Sequence, residues 1–306
     1  MTEQNISIIG LPASGKTSYI AALWALMINN SPYCSLSLHS LKEGNQEYLN
    51  QISEAWLSFK EIGRTMLAKN LGEVIMNLRN KNSGVITTLN IPDFFGELFD
   101  AHFKDREWSE EYYKQMLSSR EFIIFLDPYH ENNIARTIMD ERQYLEQFQE
   151  LDPVLIDVNQ KKDADTKDKN ESVPPNTSTK VYKHINTSNQ VKLVEILQYL
   201  VYTLVTETPF KIAIVVSKWD KVTANFPTKK PEEVVKSNLP LLHQFLECNQ
   251  QILNHKYFGI SAQGVDYGDT AGVTEFANKL PQDRVSIFDG EVSSKDIATP
   301  ITWLTE

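Results

Sequence analysis

Cysteine is scarce: the 306-residue chain carries two, Cys34 and Cys248, far apart and in no metal-like spacing. A disulfide framework is therefore not expected, and the pair suits a reducing compartment. Long apolar runs are scarce too. The longest, Ile20 to Ile28, holds nine residues, against the roughly 20 that a membrane-crossing helix needs. The run Ile6-Ser7-Ile8-Ile9 has no basic stretch before it, so neither a secretory leader nor a transmembrane segment is expected, and the expected location is the cytoplasm. Positive charge is in deficit. With 30 Lys and Arg against 40 Asp and Glu, the net charge of −10 gives no general attraction to nucleic acid or anionic lipid. A polyphosphate ligand would have to be captured by a local feature. Six histidines (His39, His102, His130, His184, His243, His255) show no metal spacing and read as structural or surface residues.

What is present is an ordinary globular composition, 41% hydrophobic and 23% charged, enough to bury a core. Phe122–Leu126 and Ile212–Val216 are continuous apolar runs, as in strands covered on both faces by helices. Val74–Leu78, a turn cluster at 80–84 and Val85–Ile91 read as a hairpin. Helical spacing marks Gly15 to Ile28, the stretch through Leu49, Ile52, Trp56, Phe59 and Ile62, and Val191 to Val205. Tyr257–Ile260 reads as a last short strand, and Thr299-Pro300 as a capping hydroxyl before a first-turn proline. These elements predict one α/β domain over 1–306, with a helical insertion at about 31–70. A second insertion at about 159–188 is polar, charge-mixed and proline-containing, and its composition predicts disorder. Trp24, Trp56, Trp108 and Tyr112-Tyr113 read as core or interface residues.

One stretch carries chemistry. Gly10-Leu11-Pro12-Ala13-Ser14-Gly15-Lys16-Thr17-Ser18 lies between an apolar strand and an apolar helix, the context that a phosphate-binding loop requires. Its glycines let the backbone curl until the N–H groups face a phosphate, and the helix N-terminus adds the positive end of its dipole. Lys16 is expected on the β- and γ-phosphates and the Thr17 hydroxyl on Mg²⁺. The loop therefore predicts a nucleoside triphosphate.

Which base it carries is the next question. Ser217-Lys218-Trp219-Asp220 ends the second apolar run and fits the [Asn/Ser/Thr]-Lys-x-Asp element by which P-loop GTPases read guanine. A carboxylate at Asp220 can accept from both the N1–H and the N2–H₂ of guanine; adenine offers no such pair of donors there. Ser261-Ala262, after the last strand, stands where such proteins carry a turn whose backbone N–H meets the guanine O6. Asp93-x-x-Gly96 follows the hairpin, and is preferred as the Mg²⁺-side acid with the Gly96 N–H toward the γ-phosphate. Asp127, after Phe122–Leu126, is the rival acid and would suit an ATPase. Glu97 occupies the position that orients the attacking water in Ras-like enzymes, with a helix first-turn acid as its plain alternative. Arg64-Thr65 precedes the hairpin: Thr65 is expected to complete the Mg²⁺ shell, and Arg64 is a candidate arginine finger.

Taken in order, GLPASGKT, Arg64-Thr65, PDFFGE, SKWD and GISAQG resemble the TRAFAC clade of P-loop GTPases. "LWAL", "PDFFGELF", "VKLVEILQYL", "LPLLHQFL" and "DIATPITWL" make the chain more similar to the bacterial double-GTPase type. That resemblance implies a Ras-like fold, a mostly parallel sheet with one antiparallel strand and helices on both faces. It also implies GTP and Mg²⁺ as ligands, and a place in bacterial conflict or antiphage gene clusters. The expected activity is a slow GTPase switch read by a protein partner, a second GTPase or an effector, with self-association as another route to acceleration. Two alternatives stand beside it: a nucleotide-holding scaffold without turnover, and an ATPase using Asp127.

Overall fold

A computed structural model describes residues 4–43, 46–61, 74–91, 97–130, 133, 187–204 and 209–306. A nine-stranded sheet runs through it in the order β2-β3-β4-β1-β5-β6-β7-β8-β9. The strands are β1 (Gln4–Gly10), β2 (Leu36–Glu43), β3 (Val74–Asn80), β4 (Ile86–Ile91), β5 (Glu121–Leu126), β6 (Phe210–Val216), β7 (Leu253–Ser261), β8 (Ser286–Phe288) and β9 (Ser293–Ser294). From β4 through β1, β5 and β6 to β7 every pairing is parallel. The expected mostly parallel sheet is present, but two strands rather than one, β3 and β8, run against the rest.

Side-chain parity along the central strands builds two cores. Ile6, Ile8, Ile123, Phe125, Ala213, Val215, Phe258 and Ile260 point to one face. Ile9, Phe122, Ile124, Leu126, Ile212, Ile214, Val216 and Tyr257 point to the other. Because both faces are buried, these strands need apolar residues at consecutive positions, which is why they are legible as continuous runs.

On the first face lie α1 (Lys16–Ile28), α2 (Gln46–Leu57) and the C-terminal helix Thr299–Thr305, named α10 below. Helix α1 is buried nearly all round from Tyr19 to Met27, wedged between the sheet and α2, so its sequence is apolar rather than amphipathic. On the opposite face stand α3 (Glu97–Asp105), α4 (Glu110–Ser118), α5 (Asn189–Leu204), α6 (Trp219–Asn225), α7 (Pro231–Asn238) and α8 (Pro240–Cys248). Helix α9 (Thr270–Ala277) lies at the surface, with no residue of it buried.

Two local expectations change. The segment expected as a helical insertion at about 31–70 opens with strand β2, which extends the sheet antiparallel to β3. Its pattern was obscured because register shifts between Leu38 and Ser40, and again between Leu41 and Glu43, break the alternation. Thr299 is not the cap of α10: it lies within the first turn, its hydroxyl donating to the Asp296 carbonyl at 2.6 Å. The Asp296 carboxylate accepts from the Ala298 N–H at 3.0 Å and the Ser35 N–H at 3.2 Å, so it anchors the helix start and the entry to β2 together. The proposed insertion at 159–188 falls almost wholly outside the described residues.

Candidate nucleotide site

The C-terminal ends of β1, β6 and β7 meet at one edge of the sheet, where α/β folds place their ligands. The loop after β1 closes on itself. The Lys16 side chain is buried, and its ammonium donates to the carbonyls of Gly10 and, at 3.0 Å, of Leu11, tying the two ends of the loop together. Gly15 has φ 96°, and a Cβ there would stand 2.8 Å from the Ser217 Cβ, so conformation and space both demand glycine. Ala13, a non-glycine, also takes a left-handed φ of 59°; such strain is held only where the surroundings enforce it. Ser14 is 4% exposed, and its hydroxyl has no hydrogen-bond partner among the described residues. A buried orphan of this kind costs about 1–3 kcal/mol until a ligand or water satisfies it.

The turn after β6 is pinned to the strand beside it. Both the N–H and the hydroxyl of Ser217 donate to the Leu126 carbonyl, at 2.9 and 3.0 Å. Lys218 is left-handed (φ 53°), and its ammonium meets the Asp127 carboxylate at 2.6 Å. Asp127 also accepts from the Tyr129 N–H at 2.9 Å. It faces a small crevice under the loop rather than the main cavity. Asp220 accepts from the Ser261 hydroxyl at 2.7 Å, and that hydroxyl in turn accepts from the Gly264 N–H at 3.1 Å. In the sequence, Ser261 is marked by its place alone. The role of its hydroxyl, orienting Asp220 between the ends of β6 and β7, was missed; the only sequence signal for it is that the small residue ending β7 is a serine.

These parts share a cavity of about 450 Å³. Of the expected residues, Ala13, Ser14, Gly15, Lys16, Thr17, Ser18, Ser217, Lys218, Asp220 and Ala262 line it. Gly10, Pro12 and Ser261 do not line it, and Pro12 borders the small crevice with Asp127 instead. Glu61, Gln263, Val265 and Tyr267 join it without having been anticipated, as do Lys221 and Asp266. Lys221 and Asp266 pair at 2.6 Å on the rim. The hydrogen bond between them raises the pKa of Lys221 and lowers that of Asp266. Both side chains are well solvated, so the pair is worth little to stability. Arg64, Thr65, Asp93 and Gly96 lie outside the described residues. Glu97 is the first residue of α3.

At the far end of β7, Glu232, His243 and Glu247 bring ligand-type atoms within 4.8 Å of one another. Glu247 already accepts from Gln250 at 2.6 Å and meets His255 at 3.2 Å, so this is a hydrogen-bonded surface cluster.

A buried loop lysine, an acid turn after β6 and a serine turn after β7 open onto one cavity in this strand order. Together they define a P-loop nucleotide-binding protein of the Ras-like class. More specifically, the chain belongs to the Double-GTPase 1 family, whose profile matches residues 7–304. Among curated proteins no sequence matches significantly. Several solved GTPase structures are similar at low identity. Roco2 RocCORdC of Methanosarcina barkeri, bound to GDP, is 12% identical over 96% of this chain and 52% of its own, with a TM-score of 0.28. The signal recognition particle receptor SRb-GTP/SRX complex of Chaetomium thermophilum is 14% identical over 92% of this chain and 100% of its own, at 0.36. The S. cerevisiae Ski7 GTPase-like domain, bound to GDP and inorganic phosphate, is 11% identical over 91% and 51%, at 0.40. The chain thus spans about half the length of the Roco2 and Ski7 chains it matches. Likeness at these scores adds nothing to the family assignment.

Proposed function

We propose that the protein is a guanine-nucleotide switch that binds GTP with Mg²⁺ and hydrolyses it slowly. The observation that carries this reading is the Asp220 carboxylate, held by Ser261 in the same cavity as the Lys16 loop. Lys16 and the loop N–H groups would bind the phosphates, and the orphan Ser14 hydroxyl fits a site awaiting a polar ligand. Thr17, Thr65 and Asp93 are the residues that would hold Mg²⁺, which neutralises phosphate charge when bound. Asp220 would accept from the guanine N1–H and N2–H₂, and the backbone of the Ser261-Ala262 turn would donate to O6.

The ATPase reading loses ground, because Asp127 is engaged by Lys218 and faces away from the cavity. A scaffold without turnover keeps one supporting feature: Glu97, a carboxylate at the start of α3, would take the place of the water-orienting glutamine of Ras-like enzymes. Lack of an arginine finger can cost 10³–10⁵ in rate, about 4–7 kcal/mol. Isolated turnover is therefore expected to fall well below one per second, with acceleration by a protein partner or by self-association. We further propose a cytoplasmic role in bacterial conflict or antiphage defence, on the double-GTPase resemblance. No helix among the described residues is long and apolar enough to cross a membrane.

Side-by-side titration and turnover with GTP and ATP test the reading. Asp220→Asn should move preference toward xanthine nucleotides, because the amide reverses one donor–acceptor pair. Equal affinity of the wild type for ATP and GTP would overturn guanine recognition, and GTP binding with no turnover even in single-turnover assays at high protein concentration would favour the scaffold.

A further inference from the structure

We propose that Trp56, on the inserted helix α2, is a positioning residue for recognition of the nucleotide base. This inference rests on the guanine reading above and deepens it. Trp56 is 2% exposed, and its indole N–H donates to the carbonyl of Ala262 at 2.7 Å. A peptide unit is planar and trans, so the N–H of Gln263 points opposite to that carbonyl, away from Trp56. Ala262 and Gln263 both line the cavity. The indole therefore fixes the peptide plane of the very turn that is expected to offer N–H groups to the guanine O6.

The contact is braced from behind. Arg284 is 8% exposed, and its guanidinium donates to the carbonyl of Leu57, the last residue of α2, at 3.0 Å. The same guanidinium lies 4.3 Å from the ring centre of Phe59, itself held in a left-handed conformation at φ 54°. Phe59 meets Tyr267 edge-on at 6.3 Å, and Tyr267 lines the cavity. The turn is thus gripped on two sides. Ser261 ties it to Asp220, and Trp56 ties it to a helix that lies more than 200 residues earlier in the chain.

Guanine presents an acceptor at position 6 and adenine a donor, so a turn whose N–H groups are held toward the cavity favours guanine and rejects adenine. Loss of the indole N–H leaves the Ala262 carbonyl without its partner and lets the peptide plane rotate. The cost should fall on the O6 contact rather than on phosphate binding.

The test uses the full chain and two probes, GTP and 6-thio-GTP, which keeps the N1–H and N2–H₂ edge but replaces O6 by a weak sulfur acceptor. In Trp56→Phe, GTP affinity should fall about five- to tenfold, the scale of one hydrogen bond. Affinity for 6-thio-GTP should fall less, so the preference for GTP over its thio analogue narrows. As a second variant, Trp56→benzothienylalanine keeps the shape of the indole and removes only the N–H; it should narrow the preference in the same way without loss of fold. A guanine-selective wild type whose preference is unchanged in the isosteric variant overturns this inference alone, since a purely structural tryptophan would weaken both ligands equally. A wild type that takes ATP as readily as GTP overturns the guanine reading and this inference together.

Discussion

Ser261 shows how much one hydroxyl can decide. It accepts from the Gly264 N–H and donates to Asp220, so this carboxylate on the cavity wall does not swing freely. Ser261→Ala should lower GTP affinity about fivefold, the worth of roughly 1 kcal/mol for one hydrogen bond, while leaving any weak ATP binding unchanged. Equal losses for both nucleotides in a titration would show that the hydroxyl only supports the fold. The two cysteines part company at the same scale. Burial raises the Cys34 thiol to about 11, whereas Cys248 is exposed. The thiolate is the reactive form, so alkylation of native protein at pH 8 should modify Cys248 and spare Cys34 until the chain is unfolded. Mass spectrometry of peptides from native and denatured samples reads this out; prompt labelling of Cys34 in native protein would contradict its burial.

Helix α6 and strand β7 meet where a glycine leaves room for an indole. Trp219 is buried and stacks on Phe288 at 6.0 Å with an interplanar angle of 11°. A Cβ at Gly259 would come within 2.2 Å of the Trp219 ring. Since Trp219 lies between Lys218 and Asp220 in the chain, displacing its ring moves the turn after β6. Gly259→Ala should destabilise the fold by about 1–3 kcal/mol, the usual cost of overpacking, and weaken GTP binding with it. Denaturant midpoints and nucleotide titration measure the two effects; an unchanged midpoint would mean that the interface has slack. Elements of this kind were legible to different degrees. The buried parallel strands announced themselves through their apolar runs. Strand β2 did not, because its bulges break the period, and β8 and β9 are too short to show one.

Across the whole molecule, the long polar stretch between β5 and α5 is bracketed by a closed pair of residues. The Asn189 side chain donates to that of Asn133 at 3.0 Å, and both are buried. The Asn133 side chain also donates to the Asp127 carbonyl, so the start of α5 is fastened to the end of β5. Removing about residues 160 to 186 therefore leaves both anchors in place. Loop-closure free energy changes only slowly with length, about 0.6 kcal/mol per doubling. The shortened chain should fold and bind GTP with affinity within about twofold of the full chain. A large loss in thermal stability or binding would show that the segment contributes packing its composition does not predict.

The loop after β1 is a local feature of the chain: every part of it lies within nine consecutive residues, Gly10 to Ser18, and local backbone chemistry dictates its shape. The same holds for Asp220, which shares one short turn with Ser217 and Lys218. The support around them was not legible. Ser261 reaches Asp220 across 41 residues, Trp56 reaches Ala262 across 206, and Arg284 reaches Leu57 across 227. Contacts at such separations leave no periodic or spacing signal, since nothing in the local pattern says which strand ends will lie side by side. Local sequence determined what this protein could hold; the order of strands in the sheet decided which residues hold the holders in place.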